Sequence, residues 1–306
     1  MKKIIQDFSV SASVAGFVAV LVGFTSSVAI VFQAATQLGA SSAQIASWMW
    51  ALGIAMGVAS ALPSWWLRKP VMVAWSTPGA AVVAVAGATG NYTLAQGVGA
   101  FIICGLLTLI VGLTGWFDAI IKRIPVAIAN ALLAGVLAKF GLQAFGMLQA
   151  NPSLVISMLL VYWIVKQIAP RWAITTSLVV AIVMVFFQGQ LNLQNLQWQL
   201  AVPQAVWPEF SFAAFMGLAL PLWIVTMASQ NLPGVAAINA CGYGGEKGIP
   251  VSKIISLTGL FTLVLAPFGC FSVNLSAITA AICMGPEAHE DPKKRYVAAI
   301  VCGVIY

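Results

Sequence analysis

The chain has 306 residues, of which 61% are hydrophobic and only 7% are charged, and its mean hydropathy is +0.99. A soluble domain of this length needs about a quarter of its residues charged to cover its surface, so these values exclude a soluble globular protein. They predict an all-α polytopic membrane protein, because a backbone in lipid must satisfy its own hydrogen bonds.

The charges and the Pro, Gly and Asn residues divide the chain into eleven apolar segments, each near the length of about twenty residues that a spanning helix needs. The predicted segments are 10–38, 43–66, 71–89, 93–116, 125–148, 152–168, 172–188, 211–239, 251–269, 270–285 and 296 onward. The polar stretch 189–210 predicts an external loop that separates a first unit, 1–188, from a second unit, 211–306. The first segment is too long for a signal-peptide core, so it is expected to stay as a spanning helix.

The basic residues predict the orientation, because Lys and Arg accumulate in short cytoplasmic loops. With Lys2 and Lys3 inside, thirteen of the fourteen basic residues fall on that side, and the loops on the other side contain none. The N-terminus is therefore expected in the cytoplasm. The net charge of +7 follows from this arrangement and gives no reason to propose a nucleic-acid partner.

The third and tenth segments are broken by small and helix-breaking residues. In the third, an extended piece Val71 to Trp75 precedes Ser76 or Thr77 as a helix cap, with Pro78 in the first turn. In the tenth, Ser272 or Asn274 is expected to cap a half-helix that runs to Met284. Seven segments precede the external loop, so a second repeat begins from the opposite side, and the two repeats are predicted to be inverted.

Two broken segments at matching positions of two halves predict the midplane binding site of a secondary transporter, where half-helix N-termini meet. The alternative is that Pro and Gly are simply common in membrane helices and that Ser and Thr only repair the backbone. A channel would need rings of charge or carbonyl groups, and a membrane enzyme would need intramembrane carboxylates or histidines, which the spans lack. The five cysteines are scattered singly, so no metal or cofactor is expected.

The chain resembles the benzoate:proton symporters of the benzoate membrane transport family. The matching stretches are AWSTPGAA (74–81), LAGVLAKFGLQAF (133–145), TMASQNLPG (226–234), APFG (266–269) and SAITAAICMGPEAHEDPKKR (276–295). The resemblance implies fourteen segments arranged as seven plus seven, with a core domain from segments 1–4 and 8–11 and a gate domain alongside. About eleven of the fourteen segments are present, so the chain is expected to be truncated at its C-terminus, and the gate domain to comprise segments 5–7 plus the missing ones.

A small aromatic carboxylate needs anion-stabilising donors and an apolar slot. The two half-helix N-termini would supply the donors, and Phe32, Trp75 and Phe271 would contact the ring. The resemblance places Ser229, Gln230 and Asn231 where related nucleobase carriers have a carboxylate; an amide there suits an anion, although it could instead only tie helices together. The predicted substrate-binding residues are Phe32, Trp75, Ser76, Thr77, Pro78, Gly79, Ser229, Gln230, Asn231, Phe271, Ser272, Asn274 and Ser276.

Proton coupling has three open routes, because no Asp or Glu lies within any predicted span. The proton could ride on the substrate carboxylate, or use a carrier in a missing segment, or use the loop residues Glu287, His289, Glu290 and Asp291. Lys139 is the single charge within a span: it could face the cavity and draw an anion inward, or its long stem could reach the external interface. The expected partners are a small aromatic carboxylate, a proton and the lipid of a bacterial inner membrane, with a homo-oligomer left open.

Overall fold

A computed structural model describes residues 7–117, 142, 145–169, 173–190 and 200–306. Within these ranges the chain is almost entirely helical, with one short two-stranded ribbon. Its elements are α1 (Val10–Thr25), α2 (Val28–Gln37), α3 (Ser42–Leu67), β1 (Val73–Trp75), α4 (Thr77–Ala88), α5 (Leu94–Thr114), α6 (Pro152–Ile168), α7 (Ala173–Phe187), α8 (Phe212–Ala240), α9 (Val251–Leu265), β2 (Val273–Leu275), α10 (Ile278–Met284) and α11 (Tyr296–Ile305).

Five helical stretches in the described ranges are long and apolar enough to cross a membrane. They are Val10–Gln37, Ser42–Leu67, Leu94–Thr114, Phe212–Ala240 and Val251–Phe268. The longest uninterrupted α-helix, α3, has 26 residues, which corresponds to about 39 Å at the helical rise of 1.5 Å per residue. The prediction of an all-helical polytopic membrane protein is therefore confirmed. Of the predicted segment 125–148, only 142 and 145–148 lie in the described part, and they are helical.

The first predicted segment, 10–38, is not one continuous helix. It breaks at Ser26 and Ser27, between α1 and α2. The hydroxyl groups of Thr25, Ser26 and Ser27 each donate to a carbonyl of the preceding turn, at 2.7 to 3.4 Å. Such bonds compete with the backbone ladder of the helix, which is how a run of Ser and Thr can interrupt it.

Two helix crossings bring backbones into close contact through glycine. Where α3 crosses α11, a Cβ added to Gly57 would lie 2.6 Å from the Gly303 carbonyl oxygen. Where α5 crosses α9, a Cβ added to Gly259 would lie 2.5 Å from the Leu109 nitrogen and 3.0 Å from the Gly105 carbonyl oxygen. Small residues at such crossings let membrane helices gain van der Waals contact that lipid tails cannot replace.

The core of the fold is the ribbon together with the helices that surround it. On one side of the ribbon, the rings of Trp48, Phe101 and Phe271 pack on one another with centroids 5.4 to 6.2 Å apart. Helices α6 and α7 pack mainly on each other as a hairpin, in which the Ser177 hydroxyl donates to the Met158 carbonyl at 3.1 Å. None of the residues of α6 is buried.

Candidate functional site

The two predicted breaks meet in the antiparallel ribbon. Val73 pairs with Leu275, Ala74 with Asn274 and Trp75 with Val273. The same register extends one pair further at each end, because the Ser76 N–H donates to the Ser272 carbonyl at 3.1 Å and the Ser276 N–H donates to the Met72 carbonyl at 3.0 Å. Two interrupted segments that lie about two hundred residues apart in sequence therefore form one element inside the helical core.

The outward-facing N–H groups of the ribbon are satisfied by side chains of neighbouring helices. From α3, Ser64 and Ser60 accept from the N–H groups of Val71 and Val73 at 2.8 and 3.0 Å, and Met56 sulfur lies 3.1 Å from the Trp75 nitrogen. From α9, Thr262 accepts from Val273 at 3.1 Å. Because extended backbone is tolerated at membrane depth only when its polar groups have partners, these side chains are what allow the ribbon to exist.

Helix α4 begins as the sequence predicts. Ser76 is its N-cap residue, and the Ser76 hydroxyl accepts from the Gly79 N–H at 2.9 Å, with Pro78 in the first turn. Thr77 and Pro78 are partly exposed. The first turn of α4 therefore presents a capped helix start, with its positive dipole end, beside a partly open surface.

Helix α10 begins later than predicted, and the expected cap at Ser272 or Asn274 is wrong. The helix starts at Ile278, and the hydroxyl that accepts from its first turn is that of Ser276, 3.3 Å from the Thr279 nitrogen. The reason is that Asn274 and Leu275 continue the strand, so their backbone is extended. Ser272 and Asn274 are instead committed to the ribbon.

The two helix starts do not touch each other. In the ribbon register Ser76, at the start of α4, lies opposite Ser272. Ser276, at the start of α10, lies four residues after Ser272 in the second strand. At about 3.3 Å per residue, the two helix starts are therefore about 13 Å apart. Each half-helix therefore leaves from its own end of the ribbon.

A buried polar cluster lies on one face of the ribbon. The Thr226 hydroxyl on α8 lies 3.1 Å from the Ser76 hydroxyl and 3.4 Å from the Ser272 hydroxyl, and the Asn274 amide lies 3.1 Å from Ser272 Oγ. The pattern of neighbours assigns the Asn274 amide nitrogen toward Ser272 and its oxygen toward the Ser76 N–H. All four side chains are at most 2% exposed. Sequence reasoning missed Thr226, whose only signal was its position in the TMASQNLPG stretch.

Helix α8 contains two π-helical turns, which the sequence analysis did not predict. They span Phe215–Ala219 and Met227–Asn231, and each ends two residues before a proline, Pro221 or Pro233. A proline inside a helix clashes with the carbonyl four residues earlier and lacks the N–H that would bond it, so a wider turn relieves both problems. Those two prolines were the available sequence signal.

The second π turn contains the three polar residues predicted on this segment, and the structure places them differently. Ser229 is exposed and Gln230 is half-buried, whereas Asn231 is fully buried. The Asn231 side-chain oxygen accepts from the Leu275 N–H of the ribbon at 3.1 Å. The side-chain oxygen of Asn231 is therefore occupied by a backbone N–H of the ribbon, whereas Ser229 and Gln230 are at least partly exposed.

The three aromatic residues predicted to contact a ring also separate by burial. Phe271 is fully buried in the cluster with Trp48 and Phe101. Trp75 is 4% exposed, and its indole N–H donates to the Ser27 hydroxyl at 2.8 Å. Phe32 on α2 is 43% exposed, so among the three it is the one with open surface available to a ligand.

The predicted coupling residues lie in the loop between α10 and α11. His289 Nδ1 accepts from the Asp291 N–H at 2.9 Å, and an Asp291 carboxylate oxygen accepts from the Lys293 N–H at 2.9 Å. Buried Arg295 holds the loop by donating to the carbonyls of Met284 and His289 at 2.8 and 2.7 Å. Glu287 is partly exposed in the same loop. Lys139 lies outside the described residues.

The basic loops that the structure describes gather at one end of α3. Arg68, which follows α3, lies 3.5 Å from the Asp7 carboxylate, and Lys69 donates to the carbonyls of Lys247 and Gly248. At the other end of α3, the Ser47 hydroxyl bonds to the backbone at 204 and 268. Arg68, Lys69 and Lys247 therefore lie near one another at one end of α3, and the side of the membrane on which this end lies stays a prediction.

The ribbon and the start of α4 form a polar region that contains no charged side chain. Among the described residues, none of the side chains on the ribbon, in the buried polar cluster or in the first turn of α4 is ionised. Of the polar residues predicted for the site on α4 and the second π turn, Thr77 and Gln230 are partly exposed and Ser229 is exposed. In the part of the chain that is described, no three His, Cys, Asp or Glu side chains come together as a metal site would require.

Comparison with known proteins gives consistent matches along the chain. The family model for BenE, benzoate membrane transport protein, matches residues 6–306 and so contains the whole site. The inner membrane protein YdcO of Escherichia coli strain K12 is 48% identical over 292 residues, which cover 95% of this chain and 73% of the relative. The benzoate membrane transport protein of Acinetobacter baylyi is 38% identical over 306 residues, which cover 100% of this chain and 76% of the relative.

Proposed function

The chain belongs to the family of benzoate membrane transport proteins, and from that premise we propose that it carries benzoate or a similar small aromatic carboxylate into a bacterial cell together with a proton. The protein is a multi-pass membrane protein rather than an enzyme. The observation that carries the site proposal is the Ser76-capped start of α4, which opens beside α8 next to an uncharged polar surface.

The carboxylate binds at the first turn of α4. Ser76 satisfies the Gly79 N–H through its hydroxyl and the Ala80 N–H through its carbonyl, and Pro78 has no N–H. The Thr77 N–H and the positive dipole end of the helix therefore attract the anion. Thr77 and Gln230 add neutral donors, with Ser229 at the edge of the site. An amide suits this position because a carboxylate there would repel the substrate. The ribbon beside this site is held in place by five polar residues that do not contact the carboxylate, namely Ser76, Ser272, Ser276, Asn274 and Asn231.

The aromatic ring lies against apolar surface beside the helix start. Phe32 provides an exposed ring for stacking or edge contact. Trp75 and Phe271 do not contact the ligand directly in this arrangement. Both are buried and packed on other rings, and they stabilise the apolar surface from inside the core. Pro78 is the partly exposed residue of this first turn, whereas Gly79 is buried and lets Leu222 pack closely, since a Cβ there would lie 2.8 Å from the Leu222 side chain.

Transport proceeds by alternating access between two inverted repeats of the seven-plus-seven type. Segments 1–4 and 8–11 form the core domain, and segments 5–7 belong to the gate domain. The repeat is supported by pairs of equivalent contacts: the Gly57–Gly303 crossing corresponds to the Gly259–Gly105 crossing. Likewise Ser60 accepts from the Val73 N–H as Thr262 accepts from the Val273 N–H.

The N-terminus lies in the cytoplasm, on the side of the basic loops. Proton entry uses the substrate carboxylate, the loop that carries Glu287, His289 and Asp291, or a carrier in a further segment, because the ribbon and the α4 start offer no acidic or histidine side chain. Lys139 is proposed to influence an incoming anion from the outer half of its segment.

The test is uptake of radiolabelled benzoate into cells that express the protein, with and without a protonophore. Uptake that the protonophore abolishes, and that Gln230→Ala lowers at equal expression, is the expected result. A well-expressed protein that takes up no benzoate contradicts the substrate assignment, and a panel of nucleobases and inorganic anions then tests the neighbouring class of carriers. Uptake that the protonophore leaves unchanged contradicts proton coupling alone.

A further inference from the structure

The second π turn of α8 is fastened to the ribbon at both of its ends. Thr226 directly precedes the turn, and its hydroxyl lies 3.1 Å from that of Ser76 and 3.4 Å from that of Ser272. Asn231 ends the turn, and its side-chain oxygen accepts from the Leu275 N–H at 3.1 Å. Both anchoring side chains are 0% exposed.

Two polar residues between these anchors, Ser229 and Gln230, are not buried against the ribbon. Ser229 is exposed and Gln230 is half-buried, and the structure gives neither side chain a hydrogen-bonding partner on the ribbon. A π turn places residues on a helix face that an α-helix would not give them, and such turns are frequent at functional sites. The position of Gln230 relative to the start of α4 is therefore determined by what holds the turn.

We propose that Thr226 and Asn231 are positioning residues, which clamp the π turn to the ribbon and so fix the Gln230 amide relative to the first turn of α4. Of these two residues, Thr226 is linked more directly to the start of α4, because its hydroxyl contacts Ser76, the residue that caps that helix. This inference rests on the proposed function for its substrate, a small aromatic carboxylate. It assigns to the hydroxyl, and not to the shape of the side chain, the role of aligning the two donors.

The first experiment measures equilibrium binding of radiolabelled benzoate to the purified protein. Thr226→Val keeps the shape and removes the hydroxyl, whereas Thr226→Ser keeps the hydroxyl. Thr258→Val is the matched control, since Thr258 is also 0% exposed but its hydroxyl donates within its own helix, to the Ile255 carbonyl at 2.9 Å. We expect Thr226→Val to weaken binding roughly tenfold, the equivalent of about 1.4 kcal/mol, and the other two variants to bind like the wild type.

A double-mutant cycle with Gln230→Ala separates positioning from general structure. If Thr226 acts through Gln230, Thr226→Val weakens binding much less in the Gln230→Ala background than in the wild type. Additive effects would overturn the inference, as would a Thr226→Ser variant that binds as poorly as Thr226→Val. Should Thr226→Val fail to elute as a folded species, Thr226→Ala, which also removes the hydroxyl that contacts Ser76 and Ser272, takes its place in the cycle.

A second readout does not depend on the substrate. Gln230→Cys in a Cys241→Ser background reports the exposure of position 230 through its rate of maleimide modification, because the other four cysteines are Cys104, Cys270, Cys283 and Cys302, all buried. Adding Thr226→Val is expected to change that rate at least about threefold, as for a local opening equilibrium, and adding Thr258→Val to leave it unchanged. If the wild type binds no benzoate, the proposed function fails, and an unchanged labelling rate would separately reject the clamp.

Discussion

The indole N–H of Trp75 donates to the hydroxyl of Ser27 at 2.8 Å, and this bond joins two interrupted membrane segments. Ser27 lies in the break between α1 and α2, and Trp75 ends β1. The ring of Phe24 covers the indole edge-on, with centroids 4.8 Å apart. Because both bonded groups are buried, the break in segment 1 and the ribbon support each other.

Trp75→Phe is expected to destabilise the protein by about 1–3 kcal/mol, because the buried Ser27 hydroxyl loses a donor and the smaller ring leaves space. Thermal unfolding of the detergent-solubilised protein measures this loss. Trp66→Phe is the control, since Trp66 is 89% exposed and its replacement should leave the unfolding temperature unchanged. Equal shifts in both variants would contradict a specific role for the Trp75–Ser27 bond.

The two glycine crossings are expected to tolerate no side chain. In Gly57→Ala the new methyl group would lie 2.6 Å from the Gly303 carbonyl oxygen, and in Gly259→Ala it would lie 2.5 Å from the Leu109 nitrogen. Each substitution should cost about 1–3 kcal/mol of stability through overpacking, measured as the unfolding temperature and the folded yield.

Gly146→Ala is the control for both, because a Cβ there would have no neighbour within 4 Å. If the two crossings are equivalent contacts of an inverted repeat, both glycine variants should lose stability to a similar degree. A protein that tolerates one and not the other would argue against that equivalence.

The local features of the site could be predicted from the sequence. Ser76, Thr77, Pro78 and Gly79 are consecutive residues with strong individual preferences, so a capped helix start after an extended piece follows from them without knowledge of the rest of the fold. The hydropathy of the segments likewise predicts the helices, since each span is decided by its own residues.

The features that depend on distant contacts could not be predicted in this way. The ribbon register joins Ala74 to Asn274, and nothing in either segment specifies that partner. The importance of Thr226 appears only once α8 packs on the ribbon. The expected cap at Asn274 was wrong for the same reason, because strand pairing there outweighs a local capping preference.

Phe32 and Phe271 are expected to respond to substitution in opposite ways. Phe271→Ala empties a fully buried position beside Trp48 and Phe101, so it should cost about 3–5 kcal/mol of stability. Phe32→Ala, at a 43% exposed position, should leave the unfolding temperature unchanged and weaken benzoate binding severalfold. Binding and thermal unfolding of the two purified variants test this contrast. Unaltered binding by Phe32→Ala would remove Phe32 from the ring site.

Single cysteines at the two ends of the core test the orientation, again with Cys241→Ser as background. Lys293→Cys lies in an exposed part of the basic loop after α10, and Gln204→Cys lies in the exposed stretch that bonds to Ser47. In intact cells a membrane-impermeant maleimide should label Gln204→Cys at once. It should label Lys293→Cys only after the cells are permeabilised. The reverse pattern would place the N-terminus outside.

Gln230→Glu tests whether the site requires an uncharged donor. At neutral pH the new carboxylate, at a half-buried position, should repel an anionic substrate and weaken benzoate binding at least about tenfold. Protonation removes that charge, so the affinity relative to wild type should recover as the pH falls from about 8 toward the ordinary Glu pKa of about 4.3. Expressing the result as a ratio at each pH cancels the titration of the substrate itself.

Gln230→Leu, which removes the donor without adding charge, should give a ratio that does not change with pH. A flat ratio for Gln230→Glu as well would mean that position 230 does not meet the carboxylate, and the site would then have to be sought elsewhere along the start of α4.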